Sequence, residues 1–275
     1  MRIRLGYRIG YEFEQPTAMI ATLNVHHSRV SDLERPDVMR TSPTVDYTSY
    51  RDGYGNWCNR LVAPAGAFAV TTDTVVRDPG TLDEVPETDY SLKVEYLPQE
   101  ALVYLLASRF CESDLLSEAA WDLFGQLPRD WSMVQAISRF VHEHITFDHA
   151  AARPTMSAAE VFETRRGVCR DFAHLGVALC RAMNIPARYC TGYLGDIGVP
   201  DNPPMDFSGW FEVYLSGGWH TVDPRNFVPR TGRVLIARGR DAADVAITTT
   251  FGPNVMTHFE VWTDELPDPS ASSGG

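Results

Sequence analysis

Hydrophobic and polar residues change their rhythm once along this chain, near residue 100. Before that point the pattern alternates. RIRLGYRIGYEF and, after a Gln-Pro break, TAMIATLNV read as strands, and so do YRDGYGNWCNRLVAP and GAFAVTTDTVV. Asp-Gly, Tyr-Gly-Asn and Pro-Ala-Gly supply the turns between them. The expectation is a small antiparallel sandwich or barrel over residues 1–100. The Pro- and acid-rich run RDPGTLDEVPETDYSLKVEYLPQ carries the chain onward.

After residue 100 the period becomes helical. SDLLSEAAWDLFGQL and DWSMVQAISRFVHEHI each follow a Ser or Asp able to cap a helix N-terminus. SAAEVFETRRG predicts a short helix ended by Gly167, and VCRDFAHLGVALCRAMN is the most apolar helical stretch. IPARYCTGYLG then reads as a strand. SGWFEVYL and GGWHTVDP form a hairpin around a Ser-Gly-Gly turn, and GRVLIARG and HFEVWTD follow as strands. Helices followed by strands predict an α+β unit over residues 101–267, with PDPSASSGG, residues 268–275 at its end, as a disordered tail.

Composition narrows the function classes. Hydrophobic residues make up 44% and charged residues 22% of 275, so a core is attainable without metal or disulfide support. The net charge of −12 argues against a nucleic-acid binder, which would be expected to be basic. No segment approaches the roughly 18 to 20 apolar residues of a membrane span, and the first residues do not read as a signal peptide. The five cysteines, Cys58, Cys111, Cys169, Cys180 and Cys190, are odd in number and show no C-x-x-C spacing. Reduced thiols in the cytoplasm, with no metal and no cofactor, are the simplest expectation.

One cysteine stands apart. Cys169 follows Gly167 and falls in the first turn of the long apolar helix. Free backbone N–H groups and the positive end of the helix favour a thiolate there, and the same amides suit an oxyanion. Arg165, Arg166 and Arg170 add positive charge. The alternative is that Cys169 packs as a small hydrophobe. Cys180 lies about 20° around the helix from Cys169 but three turns deeper, and reads as core, as does Cys190. Cys58 and Cys111 carry no supporting pattern. His174 is about 140° round the helix and points away. His142 and His144 read as boundary residues of an amphipathic helix, and no spacing assigns His149.

RRGVCRDFAHLGVALCRAMNIPARYCTGYL, followed by SGWFEVYL and GGWHTVDP, closely resembles the core motif of the transglutaminase-like superfamily. In that family Gly-x-Cys opens the nucleophile helix and Ile-Pro-Ala-Arg leads to Gly-Tyr. A His-Ala-Trp-x-Glu-Val-Tyr strand and a Gly-x-Trp strand with Asp-Pro complete the pattern. The match covers roughly residues 130 to 265, and the β-rich part resembles the domain preceding this core in bacterial members. The resemblance implies a papain-like cysteine fold, with helices packed on an antiparallel sheet. It also implies a Cys-His-Asp triad for hydrolysis or acyl transfer on peptide or small acyl and amide substrates. Position for position, Cys169 is the nucleophile and Asp223 the acid, while the family histidine falls on Ser208.

Serine is no base near neutral pH, although it can hydrogen-bond or hold a water. Strand alternation puts Ser208, Trp210, Glu212 and Tyr214 on one face, and Trp219, Thr221 and Asp223 on one face of the neighbouring strand. His220 then points to the other side and becomes an alternative base only through a β-bulge. Arg170, Asp171, Tyr193 and Trp210 are candidate substrate contacts near the site; ion pairing and packing are their structural alternatives. The turn at Asp52–Asn56 and the charged run at 238–246 are further polar features without an assigned role. Two functions stay open: a cysteine hydrolase or acyltransferase with a modified mechanism, and a binding module on the same fold that has lost its chemistry.

Overall fold

The computed structural model describes residues 1–200 and 205–267; the expected tail at 268–275 lies outside them. The first hundred residues hold strands β1 (Arg2–Phe13), β2 (Thr17–Ala21), β3 (Arg40–Ser42), β4 (Tyr47–Arg51), β5 (Trp57–Ala63) and β6 (Gly66–Arg77), with a short helix α1 (Gln99–Leu102) at their end. Then come α2 (Ser117–Phe124), α3 (Trp131–His144), β7 (Thr146–Phe147), α4 (Ala158–Thr164), β8 (Arg166–Gly167) and α5 (Cys169–Ala182). Strands β9 (Ala187–Leu194), β10 (Ser208–Leu215), β11 (Gly218–Val222), β12 (Arg233–Gly239), β13 (Thr248–Thr250) and β14 (Asn254–Leu266) follow. The α+β reading holds.

The β-rich part is built from two antiparallel four-stranded sheets, ordered β14-β1-β6-β3 and β13-β2-β5-β4. Alternation drives it. Ile3, Leu5, Tyr7, Ile9, Tyr11 and Phe13, every second residue of β1, are at most 2% exposed. The Tyr11 hydroxyl reaches Thr248 of the other sheet at 2.6 Å. Two of these strands come from beyond the boundary expected near residue 100. β14 pairs along all of β1, from Arg2↔Leu266 to Phe13↔Asn254, and β13 pairs with β2. The free backbone edges of β1 and β2 need partners, and the C-terminal strands supply them.

A third antiparallel sheet, β11-β10-β9-β12, carries α5 on one face. All eight residues of β9 are buried, because the helix covers one side and the sandwich the other. That double burial is why β9 lacks the alternation of buried and exposed positions that a half-exposed strand shows. On the sandwich side the Asn56 amide clamps β12: its Nδ2 donates to the Arg238 carbonyl at 2.8 Å and its Oδ1 accepts the Arg238 N–H at 2.9 Å. The Asp52 carboxylate holds that turn by accepting the N–H groups of Tyr54 and Asn56, both at 2.9 Å. The Asp52–Asn56 turn therefore fastens the two parts together.

Helix ends depart from the expectation at two points. α4 stops at Arg165, whose φ of 57° is left-handed, and Gly167 instead pairs with Phe147 in the β7–β8 bridge. α2 is preceded by Leu116, which makes no side-chain cap bond, whereas Asp130 caps α3 by accepting the Ser132 N–H at 2.8 Å. The β10–β11 hairpin turns on Ser216 (φ 47°) and Gly217 (φ 91°), the two left-handed residues that a two-residue hairpin with matching twist requires. Among the described residues no helix is long and apolar enough to cross a membrane.

α5 lies against β10 with a glycine on each side. A β-carbon on Gly176 would stand 2.5 Å from a ring carbon of Phe211, and one on Gly209 would stand 3.3 Å from the Arg170 backbone and 2.7 Å from the Tyr189 hydroxyl. Gly176→Ala should gain up to about 1 kcal/mol of helix propensity and lose more to overpacking, which typically costs about 1–3 kcal/mol. Urea denaturation is expected to show a net loss; a more stable Gly176→Ala chain would contradict this packing.

Candidate active site

Asp171 fixes the start of α5. Its carboxylate is fully buried and accepts the Val168 N–H at 2.9 Å, which ties off a backbone group ahead of the helix. Gly167 leaves space for that carboxylate, since a β-carbon there would lie 2.6 Å from the Asp171 Cβ. Arg170 pairs with Asp171 at 3.1 Å and donates to the Arg153 carbonyl at 2.7 Å. Arg170 and Asp171, both candidate substrate contacts from the sequence, thus shape the loop and helix that present Cys169.

Cys169, at the first position of α5, is partly exposed in a cleft of about 230 Å³. Ser208, at the start of β10, lines the same cleft, and the Cys169 thiol lies 4.0 Å from the Phe207 carbonyl. The nucleophile candidate and Ser208, the residue that the sequence resemblance sets against the family's histidine, therefore share one cavity. Asp223 directly follows β11, the strand beside β10 in the same sheet. Its Oδ2 accepts from Arg233 at 3.0 Å and from the Asn226 amide at 2.8 Å, and its Oδ1 accepts the Asn226 N–H at 3.1 Å. Asn226 in turn lines the Cys169 cleft, while Asp223 opens onto an adjacent cavity with Trp131 and Phe227. The Arg233 guanidinium also binds Asp83 at 3.0 Å and stacks 4.6 Å over Trp210.

The electrostatics run against a resting thiolate. Desolvation pushes the Cys169 thiol up to about 11; the backbone N–H groups of Gly209 and Arg170 pull it down, while the Asp206 and Asp223 charges add to the rise. The arginines expected to favour a thiolate are engaged elsewhere. Arg170 holds Asp171, Arg166 lies 3.7 Å from Asp148, and Arg165 forms the exposed end of α4. Cys169 rests as a neutral thiol.

The remaining sequence candidates are placed as follows. Tyr193 is fully buried, 5.3 Å from the Phe207 ring, behind the cleft wall. Trp210 is buried beneath Arg233. In register, Val213 faces His220 and Phe211 faces Val222 across the hairpin, and Phe211 and Val213 are on the α5 side. His220 therefore turns to the helices, where it lies 2.8 Å from Asp89 and edge-on to Trp131. The register turns it off the Ser208 face and onto the helix-packed side, where it is half-buried. His174 is buried within α5; its Nε2 accepts the Ala242 N–H at 3.1 Å, and burial holds its pKa well below the usual imidazole range. Asp241, in the charged run at 238–246, is buried and accepts the Phe110 N–H at 2.8 Å, so that run includes a structural anchor.

The cleft also holds residues that spacing did not mark: His149, Asp206, Asn226 and Arg230. Arg230 is 7% exposed, donates to the Gly195 carbonyl at 2.8 Å and to Asn226 Oδ1 at 3.1 Å, and has a buried Nε without a hydrogen-bond partner among the described residues. Asp206 adjoins Phe207 and Ser208 in sequence, which was the one available signal for it. All five cysteines are free, and no cluster of three potential metal ligands occurs among the described residues.

Residues 121–224 match the family model described as the transglutaminase-like superfamily. A solved structure, the "Putative Cysteine Protease" from Cytophaga hutchinsonii, is 31% identical with a TM-score of 0.86, covering 98% of this chain and 91% of that one. An uncharacterized protein of Mycobacterium leprae is 27% identical over 276 aligned residues, 89% of this chain and 91% of its own. Over a shorter stretch, 43% of this chain and 19% of the relative, the chain is 30% identical to the kyphoscoliosis peptidase of Homo sapiens. Matching over nearly the whole length of the Cytophaga structure and carrying the family's core at residues 121–224, the chain belongs to the transglutaminase-like superfamily.

Proposed function

We propose that this protein is a cysteine hydrolase or acyltransferase acting on peptide-like amide, ester or thioester groups, with Cys169 as nucleophile. The observation that carries the reading is the cleft at the start of α5, where the Cys169 thiol meets the N-terminal end of β10. The relative described as a peptidase and the one described as a cysteine protease support peptide-like substrates. Five unpaired cysteines support a reducing, cytoplasmic compartment.

In this reading the thiol loses its proton as it attacks the acyl carbon, a C–S bond forms, and the carbonyl electron pair moves to oxygen. The backbone N–H groups of Gly209 and Arg170 favour negative charge on sulfur and so ease loss of the thiol proton as attack begins. Collapse expels the leaving group with a proton, and water or another nucleophile then releases the acyl group from sulfur. Ser208 supplies no strong base or acid for these steps, and general acid–base help is typically worth about 10² to 10⁴ in rate. Good leaving groups are therefore favoured over amides. A binding module is the second reading, supported by the same Ser208 and by the neutral thiol.

Three outcomes are expected. Cys169→Ala should abolish hydrolysis of an aryl ester, a thioester and a peptide anilide; parent-like turnover in that variant would remove the cysteine-enzyme reading. Ser208→His should raise anilide hydrolysis by at least ~10-fold, and no gain would show that Asp223, held by Arg233, cannot support an imidazole there. Because the thiol sits at about 11, lowering the pH empties the thiolate early. Alkylation of Cys169 by iodoacetamide at pH 7 should be at least ~10-fold slower than that of a free peptide thiol, whose pKa is near 8.5, and should climb steadily with pH. Fast labelling below pH 8 would contradict the neutral resting state.

A further inference from the structure

Ser208 leaves the site without the family's imidazole, yet another imidazole stands at the same cleft. His149 belongs to a short 3₁₀ turn, His149–Ala151, capped by Asp148, which accepts the Ala150 N–H at 2.9 Å. The turn follows β7, and β7 is bonded to β8 immediately ahead of Cys169. The Asp148 N–H donates to the Gly167 carbonyl at 3.0 Å, so this segment is tied to the loop that delivers the nucleophile. His149 packs edge-on to Phe147, ring centroids 4.8 Å apart, and lines the cavity that also holds Cys169, Ser208 and Asp206. It is exposed.

We propose that His149, on a different element from the family histidine, is the proton carrier of this site, with Asp206 as its carboxylate partner. The inference rests on the cysteine-enzyme reading above. His149 follows β7 and Asp206 precedes β10 in the chain, and both line the cleft. His149 and Asp206 are near enough for their charges to interact: the surrounding protein raises the Asp206 carboxyl, while the Phe207 N–H and the His149 charge lower it. Other charged groups also face this space. Arg225 and Arg230 oppose an imidazolium, Asp196 favours one, and Asp148 lies beside His149 on its own turn. Arg225 stacks at 4.3 Å over the Phe147 ring that His149 also packs against, and Arg230 binds Gly195, Asn226 and, at 3.6 Å, Asp196, so Asp206 is the cleft carboxylate coupled to the His149 charge.

The proton balance is simple. The His149 imidazole takes the Cys169 proton as sulfur bonds to the acyl carbon, and Asp206 stabilises the imidazolium. When the tetrahedral adduct collapses, the imidazolium returns that proton to the leaving oxygen or nitrogen. In the second half the imidazole takes a proton from water, and the Cys169 sulfur leaves with it as the acid is released. A neutral resting thiol suits this sequence, because the proton moves during attack and not before it.

The test uses the full chain and two acyl donors, a 4-nitrophenyl ester and the matching 4-nitroanilide, assayed from pH 5 to 9. His149→Gln should lower Cys169-dependent acylation by about 10² or more, with a larger loss on the anilide, whose leaving group needs a proton, and should change the shape of the pH–rate profile. Asp206→Asn should show a smaller loss of the same kind. Adding Ser208→His to His149→Gln should restore activity, which a folding defect would not permit. If the parent acylates at Cys169 and His149→Gln matches it in rate, pH profile and leaving-group preference, this inference falls and the cysteine-enzyme reading stands. If the parent shows no Cys169-dependent acylation, both fall.

Discussion

Helix α5 lies on strand β10 with no room for a side chain at either end of their contact. Gly176 faces the Phe211 ring, which a β-carbon would meet at 2.5 Å, and Gly209 faces the Tyr189 hydroxyl and the Arg170 backbone, which a β-carbon would meet at 2.7 Å and 3.3 Å. Everything at the candidate site depends on this approach. The first residue of the helix is Cys169 and the first residue of the strand is Ser208, so close packing of their carriers puts the two in one cleft. Asp171 stiffens the helix start from within, and the hairpin turn at Ser216 and Gly217 sets the register that carries Asp223 on the next strand.

The same packing explains the state of the thiol. A helix N-terminus by itself favours a thiolate. Here the terminus is pressed against a strand, between aromatic and backbone walls, with two carboxylates in electrostatic range. Desolvation and like charge outweigh the helix end, and the thiol rises to about 11. The arginines that crowd the sequence around Cys169 do structural work, and one of them neutralises the buried Asp171. Asp223 is similarly enclosed, shared between Arg233 and Asn226 and bound through Arg233 into a polar network with Asp83.

Much of the fold was legible because its signals are local. Alternation at Ile3 to Phe13, the helical period of residues 169–182 and the Ser216–Gly217 turn each report on neighbours a few residues away. Alternation likewise separated Ser208 from His220. Pairing of β14 with β1 was not legible, because it joins residues some 250 positions apart and no local pattern encodes which edge a strand completes. The left-handed Arg165 at the end of α4 hid behind the more usual Gly167. His149 was invisible for a related reason: a histidine in a loop has no periodicity, and only the β7–β8 bridge brings it to Cys169. The buried Asp241 shows the converse, since a run of charges that reads as solvated contains a residue 1% exposed.

The central claim is that Cys169 forms a covalent bond to the acyl group it transfers. Intact mass spectrometry of the parent chain, quenched in acid during reaction with a 4-nitrophenyl ester, tests it directly. The account predicts a mass increase of one acyl group, mapped by peptide digestion to Cys169 and absent from the Cys169→Ala chain. Ester turnover with no adduct on Cys169, or an adduct that persists in Cys169→Ala, would contradict it.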